Sequence, residues 1–286
     1  MSVFDIISEV SEKQIYVTPE GNNRMFGIMV GIVVKNYDQK MPGRVCVSIP
    51  VMDKEADVLE WVPVVMTSGG SGWGHYFMPE IGDQVILAFE QGIFERPYVI
   101  GCIPKDKDKF LKKAVDEKNK YKKIMTRNGT NITFEDDGQI KENGSEGDGG
   151  GDGEPGEKDR LTIQTALDTY SLVMDNEKKK VSLSDKEGKN KIVLSTEEEK
   201  GKLSIQVEKQ LEIKIGDEVT LSMDGKSGNV ILKAKKFTLE ASDGIKLKTD
   251  GSAKINAANV MLEASSTLKA ESSGVVQVSG SPIKIG

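Results

Sequence analysis

Along most of the chain the apolar residues fall at every second position, in short runs that end in Gly, Pro, Asp or Asn. Alternation of this kind puts one set of side chains on each face of an extended strand, whereas a helix would space them three and four apart. Five such runs occupy 27–36, 43–51, 60–66, 83–90 and 96–103. Turn chemistry separates them, at Met41-Pro42-Gly43, in the Ser68-Gly69-Gly70-Ser71-Gly72 loop and at Glu90-Gln91-Gly92. With this many short strands and no helix between them, a closed small barrel over 27–104 is the economical way to bury their apolar faces.

Alternation resumes at Leu161 and runs to the end of the sequence. The triplets Leu203-Ile205-Val207, Leu211-Ile213-Ile215 and Val219-Leu221-Met223 begin eight residues apart. After a longer step, runs begin at Val230, Phe237, Ile245, Ala253, Val260, Leu268, Val276 and Ile283, at intervals of seven or eight, and carry Leu232, Leu239, Leu247, Ile255 and Leu262 within them. A heptad coiled coil would place apolar residues at i, i+3 or i+4 rather than at i, i+2 and i+4. Each unit is one strand and a corner, too small to enclose anything, so its apolar side must be covered by further copies. One chain winding three units per turn satisfies that, and so do three chains each supplying one face per level.

The remaining segments are an arm at 1–26, whose Phe4, Ile6, Ile7 and Val10 form one short apolar face, and a connector at 105–160. The connector is rich in Lys, Asp and Glu, is read as partly helical, has a possible hairpin at 131–135, and ends in the acidic, Gly-rich stretch 142–159, whose composition predicts a flexible loop. In that loop Asp148, Asp152, Glu154 and Glu157 offer oxygen ligands, but their spacing fits neither an EF-hand nor a nonapeptide calcium repeat. Aromatic residues are only 6% of the chain and glycine occurs 30 times, a balance suited to thin repetitive β-structure. Charge thins toward the end: 251–286 hold only Lys254, Glu263, Lys269, Glu271 and Lys284 among Ala, Ser and Gly, which predicts a slimmer C-terminal shaft.

Net charge is -6, and the barrel segment itself holds five basic against nine acidic residues, which disfavours a nucleic-acid groove and an anionic membrane surface. No apolar run is long enough to span a bilayer, and the start lacks the pattern of a secretory leader, so assembly in the cytoplasm is expected. Cys46 and Cys102 lie in strand-like runs without partners at ligand spacing and read as buried apolar residues. No cofactor, metal or catalytic residue is expected. The single histidine, His75, sits in a Gly-rich loop, and the abundant carboxylates form no nucleophile and base spacing.

The barrel segment carries an ordered set of residues: Gly31, Pro42-Gly43-Arg44-Val45, Gly69-Gly70-x-Gly72-x-Gly74, then Pro79-Glu80-x-Gly82-Asp83-Gln84-Val85, Phe89, Gly92 and Pro97-Tyr98-Val99-Ile100-Gly101. This set resembles the phage baseplate assembly protein V and VgrG spike families, in which an OB-fold precedes a triple-stranded β-helix. Within it Pro79, Gly82, Asp83, Val85, Phe89, Gly92, Pro97 and Gly101 form the barrel turn motif, with Gly82 giving backbone freedom and Asp83 capping the turn. The resemblance implies an all-β chain, an OB barrel followed by an intertwined homotrimeric β-helix over 161–286. The alternating residues Leu203, Ile205, Val207, Leu211, Ile213, Ile215, Val219, Leu221, Leu232, Leu239, Leu247, Ile255 and Leu262 then become the core between chains.

It further implies a non-enzymatic spike of a contractile injector that pierces a target envelope. Because little chain precedes Gly27, the expected partners include a separate baseplate hub protein and the tail tube, in a phage tail or R-type bacteriocin particle released from the cell. A VgrG-like secretion spike is the alternative, with an OB-fold nucleic-acid binder or a cell-wall hydrolase further behind. The end Ser281-Pro282-Ile283-Lys284-Ile285-Gly286 has no polar cap, so a PAAR-like tip protein is expected there.

Overall fold

A computed structural model describes residues 21, 24–25, 27–50, 58–136, 156–197 and 201–284. The chain divides into two compact units, residues 1–211 with 224–228 and residues 212–223 with 229–286. The arm residues Phe4, Ile6, Ile7 and Val10, and most of the acidic Gly-rich loop, lie outside the described residues.

The five predicted runs become strands β1 (Ile28–Lys35), β2 (Arg44–Ser48), β3 (Val58–Pro63), β6 (Gln84–Phe89) and β7 (Pro97–Ile103). A small hairpin, β4 (Gly69–Gly70) and β5 (Trp73–Gly74), stands where the sequence predicted only a loop. The five long strands form one antiparallel sheet in the order β3-β2-β1-β6-β7. It closes on itself through a parallel bridge between Val64 and Val99, where the Val65 amide donates to the Val99 carbonyl at 2.8 Å. Bulges in the β1–β2, β2–β3 and β6–β7 pairings bend the strands enough for closure.

Inside lie Val33, Val45, Val47, Ile49, Val62, Val85, Leu87 and Val99, none more than 1% exposed. Every second residue of β2 and β6 therefore points inward, as their alternation requires. Gly31 is needed for this packing: a Cβ there would stand 2.2 Å from Val47 Cγ1. Cys46 is buried as expected, but Cys102 is exposed: the register sets it opposite the buried Val85, yet it is the last residue but one of β7, where the pairing with β6 ends.

Beyond the barrel the connector forms a six-residue helix, Lys109–Ala114. The strands after it are β8 (Tyr121–Met125), β9 (Asn131–Glu135), β10 (Arg160–Gln164), β11 (Tyr170–Asp175), β12 (Lys180–Asp185), β13 (Lys191–Ser195) and β14 (Lys202–Gln206). They form a seven-stranded antiparallel meander in chain order. Two expectations change here. The sheet begins at Tyr121 rather than Leu161, so the segment read as a connector supplies two of its strands. Lys122 and Lys123 had masked the alternation of β8, and lysine is a common guard on such an edge strand. From Leu161 to Gln206 the chain also doubles back strand by strand instead of winding around an axis, because tight turns at 176–179 and 186–190 return each strand against the last.

The second unit contains most of a three-stranded sheet, β15 (Gln210–Ile215), β16 (Val219–Asp224) and β17 (Asn229–Lys233), with β16 central. From Ala234 to Lys284 no strand or helix forms and every residue is exposed. The backbone in this tract bends at Lys235, Ser242-Asp243, Asp250-Gly251, Ala258, Ser265-Ser266, Ser273-Gly274 and Ser281-Pro282. These bends separate the apolar runs read from the sequence, one run to each straight segment.

Candidate functional site

Register in the seven-stranded meander places apolar residues in two unbroken rows across one face. One row holds Ile124, Ile132, Ile163, Leu172, Leu183, Ile192 and Ile205; the other holds Phe134, Leu161, Met174, Val181, Leu194 and Leu203, with Lys122 at its end. Cross-strand neighbours of this type stabilise a sheet by roughly 0.2–1 kcal/mol each. Ten of these thirteen apolar residues are exposed, Leu183 by 49% and Leu203 by 64%, while Ile132, Leu161 and Leu172 are half-buried. The middle row of the opposite face carries Lys123, Thr133, Thr162, Val173, Ser182, Val193 and Ser204. On that side the Ser171 and Ser184 hydroxyls lie 3.2 Å apart. The apolar face is thus the one left open, the reverse of a sheet that covers its own core.

Aspartates hold two turns of the meander and one of the three-stranded sheet. Asp175 accepts from the Lys178 amide at 2.9 Å, Asp185 from the Lys189 amide at 2.9 Å and the Asn190 side-chain amide at 2.6 Å, and Asp224 from the Ser227 amide at 2.8 Å. The Asn190 hydrogen bond chiefly holds Asp185 below the usual carboxylate pKa, and the Ser227 amide does the same for Asp224. At the end of the meander, Arg160 lies between Glu135 and Asp175 in register and donates to Asp175 at 2.7 Å. Burial pushes the Asp175 carboxyl up, but the Lys178 amide and the Arg160 guanidinium outweigh it and leave the pKa lowered.

The barrel turn motif lies in β6, in β7 and in the turns that flank β6. Pro79 and Val85 are buried. Asp83 accepts from the Glu80 amide at 2.9 Å while its own amide donates to the Glu80 carbonyl at 3.0 Å, and Gly82 between them has φ +94°. Phe89 stacks on Phe94 with ring centres 5.5 Å apart, and Pro97 pairs with Phe89 across the β6–β7 hairpin. Gly92 combines a φ of +77° with an approach that would bring a Cβ to 3.0 Å from Arg24 Cβ. Gly101 meets nothing within 4 Å and is not required by space. Two contacts tie this turn to the chain beyond β7: Lys105 donates to the Gly82 carbonyl at 3.0 Å, and Arg127 pairs with Glu80 at 3.0 Å. Nearby, the Tyr98 hydroxyl donates to Glu90 at 3.0 Å, and that carboxylate pushes the phenol pKa up.

The thirteen residues read from the sequence as a shared core do not come together within one chain. Ile205, Val207, Ile213, Ile215 and Leu232 are exposed, as are Leu239, Ile255 and Leu262, and Leu247 is 91% exposed. Leu211, Val219 and Leu221 are half-buried. Sequence reasoning read alternation from Leu161 on but left Ile124 to Leu194 out of the shared core, although Leu161-Ile163, Leu172-Met174, Val181-Leu183 and Ile192-Leu194 carry it. Their starts are unevenly spaced, so no period announced them. At the corners of the exposed tract, the Thr249 hydroxyl accepts from the Gly251 amide and the Ser272 hydroxyl from the Gly274 amide, each at 3.1 Å. Ser281, Pro282, Ile283 and Lys284 are exposed, while Ile285 and Gly286 lie outside the described residues.

His75 is exposed and stacks on Phe77, ring centres 4.7 Å apart. Among the described residues no three His, Cys, Asp or Glu side chains converge to hold a metal, and no helix is long and apolar enough to cross a membrane. Of the carboxylates considered for calcium, Glu157 is exposed and the others lie outside the described residues.

Residues 29–103, the closed five-stranded barrel, match the family described as the type VI secretion system/phage-baseplate injector OB domain. The barrel is an injector OB domain. No curated protein matches the chain. The match begins within β1 and ends at the last residue of β7, so the injector OB domain coincides with the closed sheet and its core. The match supports a baseplate spike role, and the family it names implies association with baseplate or tail components.

Proposed function

We propose that this chain is the non-enzymatic central spike of a contractile injector, in a phage tail or R-type bacteriocin, and that three copies form a needle driven through a target envelope when the sheath contracts. The observation that carries the reading is the tract from Ala234 to Lys284. It bends every seven or eight residues, exposes one apolar run per segment, and forms no strand ladder with any other described residue. Extended backbone with unmade ladder hydrogen bonds and bare apolar side chains is stable only when other strands supply both. That this tract makes no ladder among the described residues favours three chains, each giving a face at every level, over a single chain winding alone.

In the spike, Leu239, Leu247, Ile255 and Leu262 point into a dry interior, while Lys246, Lys248 and Lys254 remain in water. The injector OB domain seats on a hub protein and the tail tube, with threefold symmetry matched to theirs. A PAAR-like tip protein docks on the exposed residues from Ser281 to Lys284.

The first test is solution mass by light scattering, for which the reading requires three times the 31.2 kDa of one chain. A compact monomer at micromolar concentration would end it. Sedimentable, sheathed particles in culture fluid that contain this chain distinguish a phage or bacteriocin from a secretion apparatus, whose spike would stay with the producing cell until delivery.

A further inference from the structure

The geometry points to the apolar face of the seven-stranded meander as the surface on which three copies first associate and by which the repeats after it are set in register. This rests on the trimeric reading above and adds where assembly begins. The meander makes its ladders within one chain, strand against sequential strand, so it folds before it meets a partner. The tract after Ala234 makes none among the described residues. An uncovered face that is already built can recruit; an unpaired tract must wait.

The size of the face suits a second copy of this chain. Seven strands spaced at about 4.8 Å, each about 17 Å long, present on the order of 600 Å² before side-chain relief is counted. That is the scale at which apolar patches mark interfaces, and it approaches the ~800 Å² per partner of a standard complex. Between the two rows there is no charge to select a foreign partner; Lys122, paired with Asp136 at 3.1 Å, bounds the face at one end. Flat aliphatic faces pack about 10 Å apart against their own kind. Once three such faces meet, the chains leave them at equivalent positions, so repeats of one period start level. The repeats cannot do this for themselves. Neighbouring units resemble each other closely enough that a slip by one whole unit would conserve the inward apolar pattern.

The experiment uses the full chain with two paired substitutions. Leu183→Lys with Ile192→Lys strikes a cross-strand pair on the face; Leu247→Lys with Ile255→Lys strikes the tract. Sedimentation gives the assembly state and amide exchange reports each segment. The face variant is expected to remain folded in β11 to β13 but to dissociate at concentrations at least 100-fold higher than the unsubstituted chain, with residues 234–284 exchanging as unprotected backbone although their sequence is intact. The tract variant is expected to stay trimeric, its loss of protection confined to 234–284. A trimeric face variant with a protected tract, or a monomeric tract variant, would overturn the inference and leave the trimeric spike standing. An unsubstituted chain that is monomeric would instead sink the spike reading itself. If the lysine pair unfolds β11 to β13, Leu183→Thr with Ile192→Thr keeps strand-forming residues and is expected to raise the dissociation midpoint at least tenfold; an unchanged midpoint refutes the inference.

Discussion

Replacing Gly31 by alanine tests whether the injector OB domain is packed as tightly as its core implies. The new Cβ would lie 2.2 Å from Val47 Cγ1 and 3.2 Å from both Leu87 Cδ1 and the Ser48 carbonyl oxygen. Val47 is β-branched and held at a single rotamer, and neither it nor Leu87 has any exposed surface into which to move. Overpacking of this kind costs about 1–3 kcal/mol. Alanine recovers about 0.5–1 kcal/mol of the conformational penalty of glycine in a strand. The balance is a loss of about 1–2 kcal/mol, equivalent to about 5–30-fold in the folded ratio. Native-state amide exchange in β1, β2 and β6 of the full chain reads this directly, as faster exchange of the slowest amides. Gly101→Ala is the control, since that glycine meets no atom within 4 Å and its backbone is not left-handed. Equal exchange in the two variants would refute the packing argument.

Asp175 is 8% exposed while its partner Arg160 keeps 37% of its side chain in water, so Asp175→Ala is expected to destabilise the meander by about 2 kcal/mol, below the 3–5 kcal/mol of a fully buried pair. Urea unfolding followed on the meander measures it, and a loss under about 0.5 kcal/mol would show that water replaces the pair. Because the Asp175 pKa is lowered in the folded chain, its stabilisation is complete above the ordinary carboxylate value and disappears as pH falls through the lowered one. Meander stability should therefore decline below about pH 4, and less so in Asp175→Asn. Tyr98 should ionise later than the other tyrosines in an absorbance titration, and Glu90→Gln should bring it back toward them; coincident titration in both forms would contradict the Tyr98–Glu90 hydrogen bond.

Alternation made much of this architecture legible in advance. The barrel strands and the capping role of Asp83 were readable because inward Val and Leu alternate with outward polar residues, and because Pro, Gly and Asp mark each turn. The corners after Ala234 were readable from a period alone. The meander was harder to see. Its turns differ in length, so its strands start at uneven intervals, and no repeat singles out Leu161 to Leu194. In β8 two adjacent lysines conceal the alternation, and the partner of its hairpin is separated from β10 by more than twenty residues. Which face of the meander stays open is fixed by cross-strand register, a property of pairs, and no single run carries it. Cys102 went astray for another reason: register sets it opposite the buried Val85 but next to the end of β7, and alternation does not show how far along the barrel an inward residue sits.

The corners after Ala234 also decide how this protein could change length. Successive segments are already joined at intervals of either seven or eight residues, so the bends absorb an odd residue without turning the next segment over. Within a straight segment there is no such slack, and losing one residue would exchange inside for outside until the next bend corrected it. Removing or duplicating a complete segment would preserve every facing and alter reach by one level. Under the proposed needle reading, growth and shortening would then proceed in discrete steps, with tolerated single-residue indels found at Ser, Asp and Gly corners and rejected between them.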